Sequence, residues 1–146
     1  MRFAILLTTG ILLSCPLVQA QFNVEPYLQD ATPTSMRVMW ESASEGTATL
    51  EWGPDESLGS AEVSEGVASP GGAMHDVLLD GLSPSSAYYY RVASGEASTL
   101  IYRFKTPPLP EAESSFSFVA MSDMQKSNDD PDVFDEIVHQ GVLDYF

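Results

Sequence analysis

Between residues 21 and 105 apolar side chains alternate with polar ones, and turn-forming residues interrupt the alternation at short intervals. A period of two puts every second side chain on one face of an extended chain. The stretch therefore predicts short antiparallel strands packed as a sandwich, and no helix fits within it. Ser35-Met36-Arg37-Val38-Met39-Trp40-Glu41 sets Met36, Val38 and Trp40 against Arg37 and Glu41. Thr47-Ala48-Thr49-Leu50-Glu51-Trp52 turns Ala48, Leu50 and Trp52 inward and stops at Gly53-Pro54-Asp55, because a proline has no N–H to give to a ladder. A short edge strand fits 61–64, Ser69-Pro70-Gly71-Gly72 is a turn, and 75–82 carries Val77 and Leu79 inward. Residues 87–92 face Tyr88, Tyr90 and Val92 to the core, and Ser94-Gly95-Glu96 turns the chain. Leu100, Tyr102 and Phe104 then alternate inward against Ile101, Arg103 and Lys105. With Pro26-Tyr27-Leu28 as another edge strand, the expectation is seven strands.

The stretch Leu82-Ser83-Pro84-Ser85-Ser86-Ala87-Tyr88 is the most diagnostic. A strand ends on a leucine, a corner built on Pro84 follows, and Tyr88 opens the next strand. This is the layout of a tyrosine corner, whose phenol oxygen bonds back to the corner backbone and fixes the crossing between sheets. Trp40, Pro84 and Tyr88 are the structural residues this reading singles out. Here the sequence resembles a fibronectin type III fold and, more narrowly, the N-terminal domain of purple acid phosphatases. The resemblance rests on Pro26-Tyr27-Leu28-Gln29, on 35–40, on Leu50-Glu51-Trp52-Gly53, on Leu82-Ser83-Pro84 with 88–92, and on Phe104-Lys105-Thr106-Pro107.

Residues 1–20 read as a signal peptide: Arg2, then an apolar run interrupted by Thr8, Thr9 and Ser14, then Val18-Gln19-Ala20 before the cut. The interrupted run is shorter than the roughly 20 apolar residues of a membrane span. Export into the medium or the periplasm is expected. Leu12-Leu13-Ser14-Cys15 also resembles a lipobox, which would make the chain a lipid-anchored protein; bulky Leu13 and the following Pro16 speak against it. Cys15 is the only cysteine, so a chain cut after Ala20 has neither disulfide nor thiolate site, and packing alone must hold it together. A net charge of −15 repels nucleic acid and anionic lipid, which excludes both as partners.

Residues 107–115 form a proline-rich linker, with Pro107, Pro108 and Pro110 keeping it extended and Glu111 and Glu113 keeping it solvated. Composition then changes. Phe116-Ser117-Phe118-Val119-Ala120-Met121 suits a buried strand, and Asp130-Pro131 opens a helix with Val133, Phe134, Ile137, Val138, Val142 and Tyr145 at helical spacing. Residues 116–146 thus read as an incomplete β-α unit of an α/β domain. The stretch 116–125 resembles the opening of calcineurin-like metallophosphoesterases, a strand followed by Asp-x-His. That resemblance makes Asp123 a metal ligand, with Gln125 in the histidine's place. A glutamine offers only a neutral oxygen, poorer for zinc or iron than imidazole and better suited to manganese or magnesium.

The resemblance implies a dinuclear Fe, Zn or Mn site and a phosphate ester substrate in a complete parent protein. Two metals polarise the phosphoryl oxygens and turn a bound water into hydroxide. The remainder of the metallophosphoesterase domain would be the partner of residues 116–146, and no catalytic residue is expected in this chain alone. His75 and His139 read as surface residues. No glycine-rich phosphate loop, serine nucleophile motif or cysteine cluster is present, and Asn128-Asp129-Asp130-Pro131-Asp132 is a loop with a helix cap rather than a calcium loop. The alternative is a stand-alone secreted or lipid-anchored sandwich that binds a partner through loops at one end.

Overall fold

A computed structural model describes residues 22–115 and 119–120. The leader with Cys15, and the β-α piece with Asp123, Gln125 and His139, lie outside the described residues. Among those described there are nine strands and no helix: β1 Phe22–Thr32, β2 Ser35–Ser42, β3 Ala48–Gly53, β4 Ser60–Ser64, β5 Val67–Ser69, β6 Gly72–Asp80, β7 Ala87–Ser94, β8 Ala97–Ser98 and β9 Tyr102–Lys105. They form two sheets, β1-β2-β6-β5 and β4-β3-β7 with β8 and β9 both on β7, and every pairing is antiparallel. The sandwich belongs to a compact unit that ends at Pro110.

The alternation written in the sequence becomes the core. β2 and β7 both run strictly between half-buried and buried positions. Val38, Trp40, Leu50 and Val92 are fully enclosed between the sheets. Burying each such side chain contributes about 1.5–3 kcal/mol. Tyr88, Tyr90 and Phe104 pack ring against ring, with centroids 5.6 and 5.8 Å from Phe104 to the two tyrosines. Trp52 is half-buried against this cluster.

Three expectations need correction. There are nine strands rather than seven, because β5 and β8 are only three and two residues long and carry too little pattern to be read. Leu100 is 79 % exposed rather than inward. The Thr99 N–H donates to the Val92 carbonyl (3.0 Å) while the Val92 N–H donates to Thr99 Oγ1 (3.2 Å). A side-chain hydroxyl thus stands where a strand would offer its carbonyl, and the edge breaks between β8 and β9. Thr106, the last residue before the linker, is buried at the sheet end. His75 is wholly buried rather than on the surface. β6 begins at Gly72, so the inward set that holds Val77 and Leu79 extends back through His75 to Ala73.

Candidate functional site

Inside the sandwich two clusters of polar groups are hydrogen-bonded, while the buried indole nitrogens of Trp40 and Trp52 have no partner among the described residues. The first surrounds His75. Its register partner on β2 is Trp40, and the two rings stack at 4.9 Å with an interplanar angle of 8°. His75 Nε2 lies 3.0 Å from Ser42 Oγ on β2, and Nδ1 lies 3.0 Å from Ser64 Oγ on β4 in the other sheet. A hydroxyl has one proton to give, and Ser42 Oγ sits closer to the Ser44 carbonyl, at 2.7 Å, which can only accept. Ser42 therefore donates to Ser44 and accepts Nε2–H, which leaves Nδ1 to accept the Ser64 hydroxyl proton. Gly66 closes the cluster: its φ is +70°, and a Cβ there would stand 2.7 Å from His75 Cε1. Burial holds the imidazole pKa below its usual value, opposed by a hydrogen bond to the Ser64 backbone.

A serine against an imidazole is also how a nucleophilic hydroxyl is activated. Here Ser42 is 1 % exposed and its proton is committed to a carbonyl, so no substrate reaches it and no base is free to act. The cluster is architecture.

The second cluster is the corner. Ser83 N–H donates to the Tyr88 phenol oxygen at 2.9 Å, closing the tyrosine corner. Ser86 Oγ donates to the Pro84 carbonyl at 3.0 Å. Thr106 then binds the corner to the end of β9: its hydroxyl donates to the Ser83 carbonyl (2.7 Å) and accepts from Ser86 N–H (2.9 Å). Its own N–H donates to the Ser86 carbonyl at 3.0 Å, and Ser85 N–H donates to the Pro107 carbonyl at 3.1 Å. The chain leaves the sandwich through this lock. Neither the bonding of Thr106 to the corner nor the Ser42–His75–Ser64 cluster is legible in the sequence, because each joins residues far apart in the chain.

On the surface, Arg37 bonds Asp30 and Asp76, and Arg91 bonds Glu51. The guanidinium of Arg37 is held charged more firmly by Asp76 and then Asp30. Pairs this exposed contribute little to stability. Arg103 and Lys105 stand exposed on the edge strand β9, where charge deters pairing with other chains. Inside, burial and the neighbouring Tyr102 push the Tyr90 phenol up to about 12.

No group of three or more His, Cys, Asp or Glu among the described residues is placed to hold a metal ion. Both nitrogens of His75 are already engaged, so the described part does not fit a dinuclear metal. No helix among the described residues is long and apolar enough to cross a membrane.

Two antiparallel sheets, an aromatic core and a tyrosine corner define the class, a fibronectin type III-like β-sandwich. The purple acid phosphatase N-terminal domain family matches residues 22–106, more than half of the chain, and the chain belongs to that family. No curated protein matches it. Among solved structures, the sensor domain of the anti-sigma factor RsgI4 of Pseudobacteroides cellulosolvens matches at 17 % identity and a TM-score of 0.48, over 62 % of this chain and 98 % of that one. PhoD matches at 20 % identity and a TM-score of 0.49, over 66 % of this chain but only 22 % of PhoD. The sixth fibronectin type III domain of human fibronectin type III domain containing protein 3 matches at 27 % identity and a TM-score of 0.40, over 63 % and 90 %. At TM-scores below 0.5, none of these three supports a functional reading.

Proposed function

We propose that the chain is the N-terminal part of an exported purple-acid-phosphatase-like metallophosphoesterase. The sandwich over 21–106 is a non-catalytic module, 107–115 is a linker, and 116–146 opens the catalytic domain. Residues 1–20 direct export as a cleaved leader. The family match over 22–106 is the observation that carries this reading. It is consistent with a buried His75 whose two ring nitrogens are both engaged by serines of the fold.

In this reading Asp123, at the carboxyl end of the apolar run 116–121, supplies a carboxylate to the first metal, and Gln125 supplies an amide oxygen beside it. The remaining ligands come from further polypeptide of the parent, and the substrate is a phosphate ester. The 146-residue chain, offered Fe, Zn or Mn, is then expected neither to retain a stoichiometric metal pair nor to hydrolyse a phosphate ester. Turnover by this chain with bound metal would overturn the reading. In a longer product of the same reading frame, Gln125→His is expected to raise zinc or iron affinity, because imidazole is the better ligand, by roughly 10-fold or more. Metal content unchanged by that substitution places the first metal elsewhere.

A further inference from the structure

His75 ties together three strands drawn from both sheets. It sits on β6, accepts the Ser64 hydroxyl from β4, and gives its Nε2 proton to Ser42 on β2. We propose that His75 is an acid-sensitive latch: its neutral ring pins the edge strand β4 to the opposite sheet and seats Gly66, which leads into β5, and protonation of the ring releases this segment.

A proton added at Nδ1 turns an acceptor into a donor, directly facing Ser64 Oγ. The Ser64 hydroxyl must then turn its own proton away, and among the described residues its side chain has no other hydrogen-bond partner to receive it. The new charge is 0 % exposed and lies against the Trp40 ring, Ala73 and Gly66. Among the described residues no carboxylate compensates. On β2, Glu41 turns away and accepts from Ser69 Oγ; on β6, Asp76 turns out to Arg37. On the β4 side, Glu62 and the adjoining Glu65 are exposed, and on β3 the facing residues are Ala48 and Leu50. The indole face offers a cation some attraction, which does not replace a lost hydration shell.

The edge is where such a change is felt. Among the described residues β4 ladders only with β3, and β5 only with β6. Gly66, between them, rests on the ring with no side chain of its own. Local opening of so short a segment precedes global unfolding. Since burial lowers the ring's pKa in the folded state, the folded chain binds fewer protons than the unfolded one just below the ordinary value of 6.5. Protection is therefore complete above that value and is lost as pH falls through the window beneath it.

This inference does not depend on the phosphoesterase reading. Its test is amide hydrogen exchange of the full chain, corrected for intrinsic rates, at about pH 7.5 and about pH 5, with the imidazole nitrogens followed by NMR. The ring is expected to hold its proton on Nε2 at the higher pH. Protection over 60–72 is expected to fall by roughly 10-fold or more at the lower pH while β7 keeps its protection, with the ring's titration and the loss sharing one midpoint. His75→Gln, which cannot titrate, should abolish the step. A step that persists in that variant, a ring that titrates near its ordinary value without loss of protection, or no step in the wild type overturns the latch. If His75→Gln does not fold, agreement of the two wild-type midpoints supports the latch and their disagreement overturns it.

Discussion

Tyr88 and Thr106 hold the corner from two directions. The Tyr88 phenol accepts one N–H, from Ser83, whereas the Thr106 hydroxyl both donates to the Ser83 carbonyl and accepts from Ser86 N–H. Removing an acceptor leaves a part-buried donor unpaired, which costs about 1–3 kcal/mol. Tyr88→Phe should therefore lower unfolding stability by about 1 kcal/mol, since its ring packing against Phe104 survives. Thr106→Val keeps the volume and strands both Ser86 N–H and the Ser83 carbonyl, so its loss should be larger, about 2 kcal/mol. Both bonds converge on Ser83, so the double variant should lose less than the sum of the two losses. Urea unfolding of the four proteins measures this. Strict additivity would show that the corner and the β9 exit are independent.

At the scale of strands, burial separates leucines that look alike in sequence. Leu50 on β3 is fully enclosed and Leu100 is 79 % exposed. Leu50→Ala is expected to cost about 2–5 kcal/mol, and Leu100→Ala no more than about 0.5 kcal/mol, both read by thermal or urea unfolding. A large loss at Leu100 would mean that the break between β8 and β9 is misplaced. The same contrast shows what the sequence could convey. Alternation found β2, β3, β6 and β7, because each keeps one register long enough for period two to repeat. It missed Leu100 because Thr99 stands in for a strand acceptor through its side chain, which no hydropathy pattern records. It placed His75 on the surface because the strand was started three residues late, and a histidine is not ordinarily counted among core residues. The Ser42–His75–Ser64 cluster brings together β2, β4 and β6, so it exists only after the sheets have packed.

For the whole molecule the dominant fact is charge: 21 acidic residues face 6 basic ones, for a net of −15. Two of the described cations, Arg37 and Arg91, are committed to three carboxylates on the surface, and the excess remains. Folding draws these like charges together, so self-repulsion weighs on the compact state more than on the extended one. Added salt weakens both the repulsion and the exposed ion pairs. The repulsion sums over many carboxylates at distances beyond the Debye length of about 8–10 Å at 0.1–0.15 M salt, whereas the pairs are few and each contributes little. Screening should therefore relieve more than it removes. The melting temperature is expected to rise by a few degrees between roughly 0.02 and 0.3 M sodium chloride and then to level off, as the Debye length shrinks below the spacing of surface charges. A melting temperature that falls over that range would mean that the ion pairs on β1, β2, β3, β6 and β7 outweigh the acidic excess, and Arg37→Gln should then abolish most of the fall.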